Sequence, residues 1–588
     1  MLVNPFGILW GFLFYFFSLM FFYLTRFYII ERAFIVIMCF CLSCILFNYY
    51  FLYTSVVPEQ LNIYFSFTNF TENIGLIDFN LSFHFNTLTY LFSLLVLAIG
   101  FCTNVYALNY FKNEADEMGF LFWLNSFILS MLILVLSGNF FTLFLGWELI
   151  GFTSFFLINF WQSRRATLKS SFKAFSFNLV SDLLLLTSLV ILYNIYNTTS
   201  IPTLLNIISL PGAKETFWKT IAVFALIGCA SIKSVQILGH LWLPDSMEAP
   251  VPASSLIHSA TLVSAGVFLL LRFNTLVLPY SDFILFLGAI TASYGGVCAA
   301  AQTDVKKLLA YSTMSHCGFL FVLVAFNDCY VTIVYLFLHG LFKASTFFCV
   351  GSFIRLYGTQ DTRMMGGGSH FFLGDSFLLL VCSINLCGLP FTIGIAYKLF
   401  FFKVLFLSKF TAVIVGMLYV AMLSSLVYFY RLVAYSVFDS LKILWGTSPL
   451  LFQALNYKGL KDKRVFLLKE FWRDSRVTTF SSWFAIFLLL TFTFYVYFNI
   501  IYLNKTIIRD NNIIYDLGLN SSFLNTYFIQ FYTVYLVVFY LFYTLIFFLI
   551  SLVTWKKNFF FYNKLYFYIY VTIGLLSLVL LLICEVLS

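Results

Sequence analysis

Charge is what this sequence has least of. Only 10% of its 588 residues are Asp, Glu, Lys or Arg, against about 25% in an average soluble domain, and that scarcity excludes a water-soluble globular fold. The alternating ten-residue pattern of a membrane β-barrel is also missing. The twelve cysteines do not fall into the repeated paired spacing of a metal cluster or a disulfide framework, and they read as small core residues. No glycine-rich nucleotide loop follows a strand. Gly366-Gly367-Gly368 lies between apolar segments without a Lys-Ser/Thr partner, and nucleic-acid binding is not expected. The first apolar segment, Phe6 to Leu24, lacks both a basic lead-in and a small-residue cleavage site, so it reads as a retained helix rather than a signal peptide.

What is present is hydrophobic: 62% of the chain, with 21% aromatic. Apolar runs of about 20 residues recur throughout, each long enough to cross a hydrocarbon core roughly 30 Å thick as a helix. The expected fold is an all-α polytopic membrane protein with sixteen spans, near 6–24, 30–53, 86–106, 119–137, 139–161, 172–196, 219–243, 254–272, 279–300, 306–326, 330–356, 371–403, 410–438, 481–503, 526–553 and 565–586. With the N-terminus outside, basic charge collects on one face. Arg164, Arg165, Lys169 and Lys173, then Lys306 and Lys307, then the polar stretch 439–480, then Lys556, Lys557 and Lys564 all fall inside. The outside loop 54–82 carries Glu59, Glu72 and Asp78 and no Lys or Arg, as that orientation requires. Stretch 439–480 reads as a surface segment touching headgroups or neighbouring proteins.

Within the spans, ionisable residues are few: Glu148, Lys233, Lys343 and Lys398. A charge at mid-membrane costs roughly 3 kcal/mol, so each is expected to face a partner or a wet cavity. His339 and Lys343 are four apart and share a helix face. Pro244 has no N–H and its ring crowds the carbonyl of His240, which predicts a helix broken at that point, with Lys233, Gln236, Ile237 and His240 forming one stripe leading to the break. Segment 371–403 repeats the scheme, with Gly388, Pro390 and Gly394 ahead of Lys398. Two interrupted helices, each bearing a lysine, point to a transporter built from inverted repeats. A carboxylate such as Glu148 brought near Lys233 would make a proton switch, because moving one charge changes which proton state is stable.

These residues resemble a known family. The run "GCASIKSVQILGHLWLPDSMEAPVPASSLIHSATLVSAGVFLLLRF", with "GWELIG" at 146–151, "TDVKKLLAYSTMSHCGF" at 303–319, "HGLFKA" at 339–344, "QDTRMMGGG" at 360–368 and "GLPF" at 388–391, is similar to the antiporter-like subunits of respiratory complex I and of Mrp-type sodium/proton antiporters. The matches keep family order over roughly residues 80 to 440. The resemblance implies two inverted five-helix repeats with two discontinuous helices, arranged as N-terminal helices (1–110), a first repeat (111–275), a second repeat (276–440) and C-terminal helices (441–588). It implies a relay in which Glu148 pairs with Lys233, His258 connects, His339 and Lys343 form the centre and Lys398 the outlet, with Asp182 a further member; His240 joins the candidates from its place on the stripe that leads to Pro244. Four positions depart from the family pattern: Leu179 stands where an arginine is usual, Tyr335 for a histidine, Leu399 for an acid and His316 for a glutamine.

The function so implied is proton translocation by a membrane-arm subunit of a proton-pumping NADH:ubiquinone reductase. The subunit itself carries no cofactor; NADH, FMN, iron–sulfur clusters and ubiquinone belong to partner subunits. Expected partners are other membrane-arm subunits, a neighbouring antiporter-like subunit among them, and lipids such as cardiolipin. The expected location is the mitochondrial inner membrane, or else a bacterial plasma membrane. The large subunit of an Mrp-type cation/proton antiporter and a non-pumping structural arm subunit stay open as alternatives. A long lateral helix is not expected, because the inside connection 554–564 would span only roughly 16 Å as helix.

Overall fold

The computed structural model describes residues 61–65, 81–111, 116–209, 217–259, 261–327, 329–367, 373–388 and 412–438. All of them belong to one of the chain's two structural units; the other, Pro390–Thr392 with Thr506–Ser588, lies wholly outside the described residues. Outside them too are the expected spans 6–24, 30–53, 481–503, 526–553 and 565–586, Lys398 with most of 371–403, stretch 439–480 and the segment of the lateral-helix argument.

Thirteen α-helices carry the account that follows. They are α1 Thr87–Tyr110, α2 Glu117–Leu136, α3 Phe140–Ile158, α4 Arg165–Tyr196, α5 Ile201–Ser209, α6 Phe217–Lys233, α7 Val251–Ser259, α8 Leu262–Arg272, α9 Ser281–Ala301, α10 Val305–Ala325, α11 Cys329–Tyr357, α12 Leu373–Cys387 and α13 Ala412–Val433. Among the described residues, nine helical segments are long and apolar enough to cross a membrane. Apart from the expected span 254–272, which is divided into α7 and α8, observed ends fall within a few residues of those expected, with two exceptions. Helix α4 begins at Arg165, so Lys169 and Lys173 ride on its first turns rather than in a loop. The other is α6.

Helix α6 ends at Lys233 and does not run to 243. The backbone N–H of Gln236 donates to the Ser231 carbonyl at 2.8 Å and that of Val235 to the Ile232 carbonyl at 3.3 Å, the paired closure of a Schellman cap. Val235 takes the left-handed conformation this requires, with φ of 59°. Residues 234–244 then run as turns into a short 3-10 helix, Asp245–Glu248. Pro244 therefore follows the break and does not cause it, and Gln236, Ile237 and His240 are not on a helical stripe with Lys233.

An antiparallel hairpin departs from the all-α expectation. Strand β1, Leu61–Phe65, pairs with β2, Leu81–Phe85, in the register Leu61↔Phe85. Both strands alternate apolar with polar residues, LNIYF and LSFHF, the period of a sheet with one face covered. Strand β2 is stitched to the α2–α3 junction, where the Gly138 N–H donates to the Ser82 carbonyl at 2.8 Å and Phe83 bridges Ser137.

Two junctions carry matching hydrogen bonds. Between α2 and α3, the Phe140 N–H donates to Thr199 O at 3.0 Å and the Ile201 N–H to Gly138 O at 2.9 Å; between α9 and α10, the Val305 N–H donates to Gln360 O and the Thr362 N–H to Thr303 O, both at 2.9 Å. Each is flanked by an arginine latch. Arg272, at the end of α8, donates to the Ser137 carbonyl, and Arg431, near the end of α13, to the Ala300 carbonyl. Helices α9 and α10 meet backbone to backbone: a Cβ on Gly318 would lie 2.5 Å from the Ala292 nitrogen, and one on Gly288 would lie 2.8 Å from the Gly318 carbonyl oxygen. Small residues allow that approach where lipid supplies no hydrophobic drive.

Candidate functional site

Lys233 is wholly buried at the last position of α6. Its Nζ donates to the Trp147 carbonyl at 2.9 Å, lies 4.7 Å from the centre of the Trp147 ring and stands 3.8 Å from Asp182 Oδ1. Asp182, on α4, accepts from the Ser181 hydroxyl at 3.1 Å. Asn178 lies one turn earlier on the same face; it is buried, and neither of its amide heteroatoms has a hydrogen-bond partner.

Glu148 is placed differently from the expectation. It is exposed on the surface of the helical bundle, and the carboxylate within ion-pair reach of Lys233 is that of Asp182. The reason is helical phase. Adjacent residues on a helix point about 100° apart, and Trp147 takes the inward position on α3, so Glu148 is turned out.

The irregular segment after α6 supplies the next polar groups. The Ser246 hydroxyl lies 3.2 Å from His258 Nε2, and His258, on α7, is fully buried between the rings of Trp242 and Phe347, with centroids 6.4 and 6.3 Å away. His240 is buried within that segment, its ring 5.2 Å from that of Tyr294. Lys306, at the start of α10, is also buried and donates to the Met247 and Ala249 carbonyls at 3.3 and 3.0 Å, pinning the turn ahead of α7. At the edge, Lys173 and Asp245 pair at 2.5 Å.

A second cluster lies between α10 and α11. Tyr335, His339 and Lys343 are spaced four apart on α11, and Ser312 and His316 four apart on α10. The Tyr335 hydroxyl lies 2.7 Å from His316 Nδ1, the His316 and His339 rings are 5.2 Å apart, and Lys343 donates to the Ser312 hydroxyl. Lys343 is fully buried, with Nζ 5.3 Å from the Phe429 ring centre. The structure thus brings together Lys233 with Asp182, and His339 with Lys343. It keeps Glu148 out of the first cluster and leaves His258 between. Ser312, His316 and Tyr335 were given no role by the sequence reading; the signal for them was a four-residue polar spacing inside apolar helices, facing the same spacing on a neighbour.

The sequence matches the family profile described as NADH:quinone oxidoreductase/Mrp antiporter, transmembrane, over residues 137–427. It also matches the profile described as NADH-ubiquinone oxidoreductase (complex I), chain 5 N-terminus, over residues 72–121. Among curated proteins, NADH-ubiquinone oxidoreductase chain 5 of Paramecium tetraurelia is 45% identical over 374 residues, covering 62% of this chain and 65% of that protein. Its counterpart from Acanthamoeba castellanii is 36% identical over 353 residues, covering 58% of this chain and 52% of that protein. The chain therefore spans about half to two thirds of the length of the curated relatives it matches. In fold it is similar to the Mrp complex from Dietzia sp. DQ12-45-1b, with a TM-score of 0.60 and 20% identity, over 92% of this chain and 60% of that one.

Proposed function

The chain belongs to the NADH:quinone oxidoreductase/Mrp antiporter family, and from that membership we propose that it is a proton-translocating membrane-arm subunit of a respiratory NADH dehydrogenase. The observation that carries the proposal is Lys233, buried at a helix end 3.8 Å from Asp182. At that distance and an effective dielectric of about 20, the pair is worth about 4 kcal/mol of Coulomb energy. Neutralising or drawing away either partner gives up that energy, which makes the pair a switch that responds to a proton and can hold one back.

In this reading Asp182 and Lys233 form the loading pair, Glu148 tunes it from the bundle surface, and His258 with Ser246 leads onward, with His240 close by. His339 and Lys343, joined by His316, Tyr335 and Ser312, form the central relay, and Lys398 serves the outlet. Repeats 111–275 and 276–440 are related by inversion, a layout supported by the matched hydrogen bonds and arginine latches of the two junctions. Five crossings separate the end of α2 from the end of α9, so the two junctions fall on opposite faces. Redox energy reaches this subunit from partners that hold NADH, FMN, iron–sulfur clusters and ubiquinone. A neighbouring antiporter-like subunit and lipids such as cardiolipin flank it in the mitochondrial inner membrane, which the chain crosses sixteen times in this reading.

The test is proton flux per NADH oxidised, in vesicles holding the assembled enzyme. Lys233→Leu and Asp182→Leu each strand a buried charge and are expected to lower flux by at least about tenfold. Wild-type flux from fully assembled Lys233→Leu would overturn the proposal. Sodium-driven proton movement in the same vesicles without NADH would instead favour an antiporter.

A further inference from the structure

Lys233 is the last residue of α6, so its backbone keeps helical geometry only while that end of the helix holds. Successive helical residues point about 100° apart, so a Lys233 that frays from the last turn swings its Nζ off both Trp147 and Asp182. The stop is costly to hold. Val235 at φ 59° and Leu238 at φ 76° both occupy the left-handed region, which suits glycine and penalises a β-branched residue most. Such a conformation persists only where its surroundings over-determine it.

The groups that do so lie three residues beyond Lys233. Gln236 is wholly buried, and both ends of its amide are used: Nε2 donates to the Ser234 carbonyl at 3.2 Å, and Oε1 accepts from the Thr291 hydroxyl at 2.6 Å. Thr291 belongs to α9 and is itself wedged, since a Cβ on Gly318 of α10 would fall 2.6 Å from its Oγ1. Gly318 lies two residues past His316, on the helix that also carries Ser312. A single side-chain hydrogen bond thus ties the cap of α6 to the helix pair that positions the partners of Lys343 and His339.

We propose that Gln236 and Thr291 are positioning residues that fix the end of α6, and with it Lys233, against the helix pair α9/α10; the inference rests on the proton-translocation reading above. The titratable groups around Lys233 are Asp182 of α4, which faces it, Cys229 of its own helix and, turned outward on α3, Glu148, so displacing Lys233 alters its field as well as its reach.

Thr291→Val keeps the shape of the side chain and removes the donor, whereas Thr291→Ser keeps the donor. Both are measured in the full assembly as proton flux per NADH against pH, normalised to assembled enzyme. Thr291→Val is expected to lower flux about fivefold, the loss of one hydrogen bond, and to move the midpoint of the pH profile by roughly half a unit. Thr291→Ser is expected to restore both. Gln236→Leu should reproduce the Thr291→Val phenotype, and the double variant should be no worse than either single change. An unmoved midpoint in Thr291→Val, failure of Thr291→Ser to rescue, or effects that multiply in the double variant would each overturn the inference. If assembly of Thr291→Val fails, Gln236→Leu decides by the same midpoint. Lys233→Leu is the control: wild-type flux there sinks the function reading itself, while a dead Lys233→Leu beside a normal Thr291→Val sinks this inference alone.

Discussion

The two buried lysines sit in different surroundings. Lys233 faces a carboxylate at 3.8 Å and terminates a helix, whereas Lys343 lies in mid-helix, donating to a hydroxyl and resting over a phenylalanine ring. The first arrangement stores energy, because an ion pair in a poorly screened interior resists the loss of either charge. Two of the contacts of the second are a hydroxyl dipole and a ring face, each weaker than a facing carboxylate. In the proposed relay, that difference would let a proton be gated at the first lysine and passed on at the second.

The largest expected effect tests that contrast directly. Asp182→Leu leaves a buried lysine without its carboxylate, a change of about 3–5 kcal/mol, whereas Ser312→Ala removes one hydrogen bond from a charged group, about 1.5–3 kcal/mol. Flux per NADH should therefore fall by a greater factor in Asp182→Leu. Equal losses in the two variants would mean that the lysines are equivalent and the contrast is false.

A smaller effect is expected from the exchange across α10 and α11. His316→Gln and Tyr335→His each disturb the 2.7 Å contact, and each should lower flux several-fold, by about one hydrogen bond. The double variant restores the arrangement usual in the family and should recover most of the loss. Two independent losses in the double variant would show that the rings do not work as a pair.

The smallest effect lies at the outer hairpin. Burial, with Arg272 second, pushes His84 down from 6.5 to about 4. A neutral histidine of this kind supports the fold fully above pH about 6.5 and loses that support as the pH falls toward about 4. Amide exchange of strand β2 should quicken across that window, and His84→Gln should flatten the change. Equal pH dependence in the variant would remove His84 from the account.

The sequence reading of spans fared better than its reading of faces. Every described span was expected within a few residues except at α4 and α6, because crossing lipid demands about 20 apolar residues whatever they pack against. Lys233 and Lys343 stood out because a lysine in such a run must be accommodated. The stop in α6 was read from Pro244, the strongest breaker in the segment. The chain instead stops eleven residues earlier, where Val235 adopts a conformation no propensity would assign to it and Gln236 finds Thr291 some 55 positions away in the chain.

Hydropathy by itself determined that this chain lives in a membrane, roughly where its described spans lie and that Lys233 and Lys343 are buried; it left Lys306 in a loop, where the structure buries it. Only the tertiary structure decided that Trp147 points inward and Glu148 outward, that Asp182 is the acid beside Lys233, and that His316 meets Tyr335 and His339. In water a helix shows its buried face as an apolar stripe. In lipid both the outer surface and the protein interior are apolar, so a membrane helix reads alike on every side and its facing is set by the packing of its neighbours.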